Sequence, residues 1–171
     1  MSDDSKHPNV VHLDDSPSMS REKGTKFGFS AKQLGDPTGA EQIGCNWFEI
    51  PPGRTAFPAH YHCAMEESVF ILEGEGTARI GEDRVPVRAG HYITYPIGPD
   101  HAHQIINTGT EPLRYLCFST KSTAEVVGYP DSNKVAALSA KAGAGMGDRW
   151  ISAWFPADAS VDYYDGEETG E

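Results

Sequence analysis

Long apolar runs are absent from this chain: no stretch approaches the roughly 18 apolar residues that a membrane-crossing helix needs, so no such span is expected. Basic residues are scarce. Only 14 Lys and Arg stand against 25 Asp and Glu, and the formal charge of −11 disfavours nucleic acid and anionic membrane as partners, both of which are polyanions. Cysteine is also sparse. Cys45, Cys63 and Cys117 cannot all pair and show no C-x-x-C spacing, which points to reduced thiols in a cytoplasmic protein, with Cys45 and Cys117 buried on strands. The first residues, MSDDSKHPNVVHLDDSPS, offer no apolar stretch behind a basic start, so no secretory signal is expected there. A 3.6-residue apolar period is missing between residues 40 and 120, where Pro51, Pro52, Pro86, Pro96, Pro99 and Pro112 would interrupt a helix.

Turn formers and short apolar runs take the place of helices. The chain of 171 residues has the size of one domain with tails, and its 18 glycines and 12 prolines suit many short strands meeting at tight turns. Runs rich in Ile, Val, Phe, Tyr and Trp alternate with Gly, Pro, Asp and Asn. They predict strands over residues 42–50, 57–62, 67–72, 77–80, 84–87, 91–95, 101–106 and 114–119, with Gly81-Glu82-Asp83 as a hairpin turn. Such spacing argues for an antiparallel sandwich or barrel. Residues 1–22 read as a polar, flexible arm able to order against a partner subunit, and 23–120 as the β-barrel domain. Residues 121–171 read as an irregular extension packing on the barrel or on a second subunit. Within that extension the alanine-rich stretch 134–144 predicts one short helix ending at Gly143-Ala144-Gly145. The aromatic run Trp150-Ile-Ser-Ala-Trp154-Phe155 is too apolar to be left in water.

Chemistry concentrates in two segments. In Gly53-Arg-Thr-Ala-Phe-Pro-Ala-His60-Tyr-His62-Cys-Ala-Met-Glu66-Glu67, the two histidines are two apart. On a strand they face one side, about 6–7 Å apart along the chain, and their imidazoles can converge on one ion. Residues 63–66 can act as a loop that returns Glu67 on the neighbouring strand, with Glu66 as the alternate carboxylate. A third imidazole is available in Pro96-Ile-Gly98-Pro-Asp-His101-Ala-His103-Gln-Ile-Ile-Asn107. Five of the seven histidines fall between residues 60 and 103. An isolated His-x-His pair more often lies on a polar strand edge. Three imidazoles and a carboxylate inside predicted strands would be costly to bury without a metal.

These two segments resemble the paired motifs of the cupin superfamily, G-x5-H-x-H-x3–4-E-x6-G and G-x5-P-x-G-x2-H-x3-N. His60, His62, Glu67 and Gly74 fit the first, with six residues rather than five after Gly53. Gly90, Pro96 and Gly98 fit the second. Counting from Gly98 selects His101 as the histidine. Counting back from Asn107, which begins the turn Asn107-Thr-Gly-Thr, selects His103, the expected ligand, with His101 as a neighbouring group or displaced ligand. Flanking residues 32–39 and 127–132 are similar to one bacterial single-domain group, some of whose members carry the label of sugar-phosphate isomerase. The resemblance implies an all-β double-stranded β-helix (jelly-roll barrel), commonly a homodimer, holding one divalent metal ion on His60, His62, Glu67 and His103.

That donor set suits zinc, manganese, nickel, iron or cobalt and leaves about two positions open on a six-coordinate ion. Open positions belong to a catalytic or ligand-binding centre rather than a closed structural one. The favoured expectation is an isomerase or epimerase acting on a small molecule such as a sugar or sugar phosphate. The alternatives are an iron-dependent dioxygenase and a non-catalytic small-molecule sensor. His91 and His101 are candidate proton-transfer groups, and Arg54, Arg79 and Arg114 are candidate partners for an anionic substrate.

Overall fold

A computed structural model describes residues 7–141 and 149–170. Thirteen strands follow one another: β1 (Ser18–Lys23), β2 (Phe27–Gln33), β3 (Ile43–Ile50), β4 (Tyr61–His62), β5 (Glu67–Glu73), β6 (Glu75–Ile80), β7 (Asp83–Arg88), β8 (Tyr92–Tyr95), β9 (His103–Ile106), β10 (Leu113–Thr120), β11 (Ala124–Tyr129), β12 (Lys134–Ala140) and β13 (Arg149–Pro156). One wall of the barrel is the six-stranded sheet β1-β2-β3-β10-β5-β8. The other is built from β7-β6-β9 and β13-β12-β11-β4, joined where His60 and His103 form an isolated antiparallel bridge. Every ladder pair between these strands is antiparallel. This is the expected double-stranded β-helix.

Alternation of side chains fills the space between the walls. On β3, β5 and β10 the inward residues Phe48, Ile50, Val69, Ile71, Leu113 and Tyr115 are buried. They meet Phe29 from β2, Tyr95 from β8 and Ile105 from β9 in one core. Turn chemistry sets the registers. Gly74 links β5 to β6 with a positive φ of 79°, and a Cβ there would lie 2.5 Å from the Pro112 carbonyl oxygen, so glycine is required twice over. Asn107 is fully buried, and its amide donates to the carbonyls of Ile50 (2.7 Å) and Glu111 (2.8 Å) while accepting from Gly109 N–H (3.0 Å). Its hydrogen bonds therefore close the turn after β9 without leaving a polar atom unpaired.

Three expectations are corrected. The alanine-rich stretch expected as a helix is strand β12 as far as Ala140; residues 142–144 of that expectation lie outside the described residues. Alanine favours a helix only weakly, and here β11 and β13 pair with the segment on both sides. The strand expected over 57–62 shrinks to Tyr61–His62. Pro58 has no N–H to donate, and the Phe57 carbonyl is taken by the side chains of Thr55 and Gln104. Residues 99–101 form a 3₁₀ turn, so the strand expected from His101 starts at His103. Part of the polar N-terminal stretch pairs with β2 as β1. The aromatic run lies on β13, which pairs with β12 and leaves Trp150, Ile151, Trp154 and Phe155 exposed. Among the described residues, no helix is long and apolar enough to cross a membrane.

Candidate metal centre

Four side chains meet inside the barrel. One ligand atom from each of His60, His62, Glu67 and His103 lies within 4.8 Å of the others. Three local features bring them there. His60 and His103 exchange backbone hydrogen bonds across the junction of the two halves (3.1 and 2.8 Å), which puts their ring centroids 4.6 Å apart. His62, two residues on, points the same way and is held by β11 through its pairing with Val127. Glu67 opens β5 opposite Tyr95 and Ser119, so its carboxylate enters from the facing wall.

The rings are oriented from behind. The Nδ1 of His60 faces the Pro58 carbonyl at 2.9 Å, and the Nδ1 of His103 faces the His101 carbonyl at 3.0 Å. Donation from each Nδ1–H leaves the Nε2 lone pair turned inward, the tautomer a metal requires. Tyr95 stacks on His103 with centroids 3.9 Å apart and planes 8° from parallel, which fixes that ring's rotation.

The inward contacts fit a cation. The Glu67 Oε2 lies 3.1 Å from His103 Nε2 and 3.6 Å from His62 Nε2, and both nitrogens of the buried His62 ring lack a hydrogen-bond partner. With Nδ1 of His103 already donating, a neutral His103 and an ionised Glu67 would set two lone pairs against each other. Donors held about 2.1 Å from one ion stand roughly 3.0–3.4 Å apart, which matches the Glu67–His103 separation and is slightly less than the 3.6 Å between Glu67 and His62. Three imidazoles and one carboxylate therefore fit a divalent metal, and their chemistry alone does not select which one.

Electrostatics prepare His60 and Glu67 for the same state. Burial, aided by the nearby His103, pushes the His60 pKa down to about 4, so this ring is neutral at pH 7 with its lone pair available. Burial opposes the charge on Glu67, but the neighbouring imidazoles of His103 and His62 outweigh it and hold the carboxyl well below its usual range. For His62 the pull of burial is likewise overcome by Glu67 and then Glu125, and its pKa rises. His62 and His103 are buried, whereas His60 and Glu67 are partly exposed. Phe57 and Tyr129 flank His60, their ring centroids 6.2 and 6.1 Å from its own.

Other candidates fall elsewhere. His101 lends its carbonyl to His103 and stays outside the cluster, and Glu66 is exposed. The ring of His91 accepts the Arg88 N–H at a turn on the outer surface. Arg54 donates to the Phe27 carbonyl, Arg79 pairs with Asp131 at 2.7 Å, and Arg114 pairs with Glu49 and Glu73; each is already engaged. Sequence reasoning read Tyr95 as a packing residue or part of the pocket lining, and passed over Tyr129 and Glu125. Glu125 carried a signal: an acidic residue in step with the inward Val127 on an alternating strand.

Comparison with known proteins agrees with this fold. The cupin domain family model matches residues 46–119. A crystal structure of a provisional sugar phosphate isomerase from Acidithiobacillus ferrooxidans is 30% identical, covers 78% of this chain and 80% of its own, and superposes with a TM-score of 0.66. A sugar phosphate isomerase of the cupin superfamily from Silicibacter pomeroyi, 23% identical, covers 91% of this chain and 98% of its own with a TM-score of 0.76. An uncharacterised protein of Methanocaldococcus jannaschii is 38% identical over 70 residues, 41% of this chain; the match spans about half (54%) of that curated relative. With the barrel, the converging histidine strands and a relative of this identity matched over most of its length, the chain belongs to the cupin superfamily.

Proposed function

We propose that this protein is a metal-dependent isomerase or epimerase of a small polyhydroxylated carbonyl compound, a sugar or sugar phosphate. The observation that carries the reading is the four-residue cluster, with His62 and His103 buried and His60 and Glu67 partly exposed. His60, His62, Glu67 and His103 would hold the ion. When bound, a divalent cation there supplies Lewis acidity towards a substrate carbonyl and its neighbouring hydroxyl. The chain's own residues do the rest. At the neutral His60 protons compete little with the ion for the ring at pH 7, the Tyr95 ring keeps His103 aligned, and Phe57 and Tyr129 stand beside His60. Lys134, whose ammonium lies 4.8 Å from the Tyr129 ring, adds a positive charge suited to an anionic end of the substrate. The name carried by the 30%-identical Acidithiobacillus protein points the same way.

The test begins with the metal content of protein purified without added metal. The loaded protein is then incubated with aldose and ketose phosphates in deuterium oxide. Incorporation of solvent deuterium at the carbon beside the carbonyl is expected. Dioxygen consumption with bound iron and no exchange would replace this reading with an oxygenase, and thermal stabilisation by a ligand without exchange would replace it with a binding module.

A further inference from the structure

A buried carboxylate behind the cluster has no part in the chemistry so far. Glu125 is 5% exposed and stands on β11, beyond the residues matched by the cupin model. It accepts three backbone hydrogen bonds from consecutive residues: Cys63 N–H (2.9 Å) and Ala64 N–H (3.2 Å) on Oε1, and Met65 N–H (2.7 Å) on Oε2. Those residues make up most of the loop joining His62 to Glu67, so one side chain sets the separation of two ligands. Its Oε2 also lies 3.7 Å from His62 Nδ1, a few tenths of an ångström beyond hydrogen-bond range.

The backbone explains why His62 needs such a neighbour. His60 and His103 each direct Nδ1 at the carbonyl two residues earlier. For His62 that carbonyl belongs to His60, and it already accepts the His103 N–H at 2.8 Å. The His62 Nδ1 is left buried and without a partner. A neutral imidazole bound to a metal through Nε2 must carry its proton on Nδ1, and a buried N–H without an acceptor is costly. Glu125 Oε2 is the acceptor placed to receive it.

The geometry points to Glu125 as the positioning residue of the metal centre: it clamps the 63–65 loop and offers its Oε2 as the acceptor for the Nδ1–H of His62, so that Nε2 is presented to the ion. This rests on the metal-binding reading above. Loss of such a neighbour typically weakens metal affinity about 10–100-fold. Glu125→Gln keeps size and burial but removes the negative charge and one acceptor. The probe is Co2+, added to metal-free protein and followed by its visible absorption and by competition with a chelator. The variant is expected to fold, by far-ultraviolet circular dichroism, to bind Co2+ about 10–100-fold more weakly, and to show an altered visible spectrum.

Wild-type affinity and spectrum in the variant would overturn the assignment while leaving the metal reading intact. Failure of the wild-type chain to bind Co2+ would remove both. Should the variant not fold, side-chain 15N spectra of Zn2+-loaded wild-type protein decide: protonated Nδ1 and metal-bound Nε2 at His62 are expected, and the reverse would overturn the role.

Discussion

Replacing His62 by alanine separates what the ring does for the metal from what it does for the fold. Without metal, the wild-type barrel buries both ring nitrogens of His62 without a partner. Each such group costs about 1–3 kcal/mol, whereas truncating a buried side chain of this size loses packing worth about 2–4 kcal/mol. The two effects oppose each other, so His62→Ala in chelator is expected to change stability by no more than about 1–2 kcal/mol. With metal at about 100 times its dissociation constant, the wild-type chain gains about 2.7 kcal/mol. For a domain of this size that is roughly 5–10 °C in melting temperature, and the variant is expected to lose most of it. Circular-dichroism melts at pH 8, with chelator and then with excess Co2+, read both quantities. A variant that melts more than about 10 °C lower in chelator, or that keeps the full metal-induced rise, would refute the reasoning.

Three further outcomes are expected. The Tyr95 hydroxyl is buried and unpartnered, so Tyr95→Phe should leave the urea midpoint unchanged or raise stability by up to about 1 kcal/mol; a comparable loss would mean that the hydroxyl has a partner. Burial raises the pKa values of Tyr95, Tyr115 and Cys117. Unfolded, these groups ionise near 10.0 and 9.0; the native state holds their protons longer, so stability is fully present below pH 9 and falls as pH rises. Urea midpoints at about pH 8 and pH 10.5 test this window, and equal midpoints would count against it. Finally, a Cβ at Gly128 would lie 2.1 Å from the Tyr61 ring across the β4–β11 pair. Gly128→Ala should therefore cost about 1–3 kcal/mol in wild type and much less beside Tyr61→Ala; additive effects in the double-mutant cycle would contradict the clash.

Most strands of the barrel were legible because their pattern is local: the predicted runs 42–50, 67–72, 77–80 and 114–119 each lie on an observed strand, to within about two residues at the ends. The hairpin after Ile80 was legible for the same reason, since Gly81 takes a φ of 56° there. What misled was context. Residues 57–60 carry strand-like side chains, yet Pro58 and the side chains bonded to the Phe57 carbonyl deny them a ladder. The alanines of β12 read as a helix because the sequence does not display the two neighbours that recruit them as a strand. Within the cluster, the spacing of His60, His62 and Glu67 was informative by itself. His103 was separated from His101 only by the 3₁₀ turn at 99–101, and Glu125 acts from a strand sixty residues away in sequence.

The two-residue strand bearing His62 has β11 as its ladder partner. A fragment cut after residue 120 would keep every side chain of the four-residue cluster yet strip one of them of its scaffold. Exchanging segment 121–140 between relatives is thus a route to retuning ion preference with all four donors left in place.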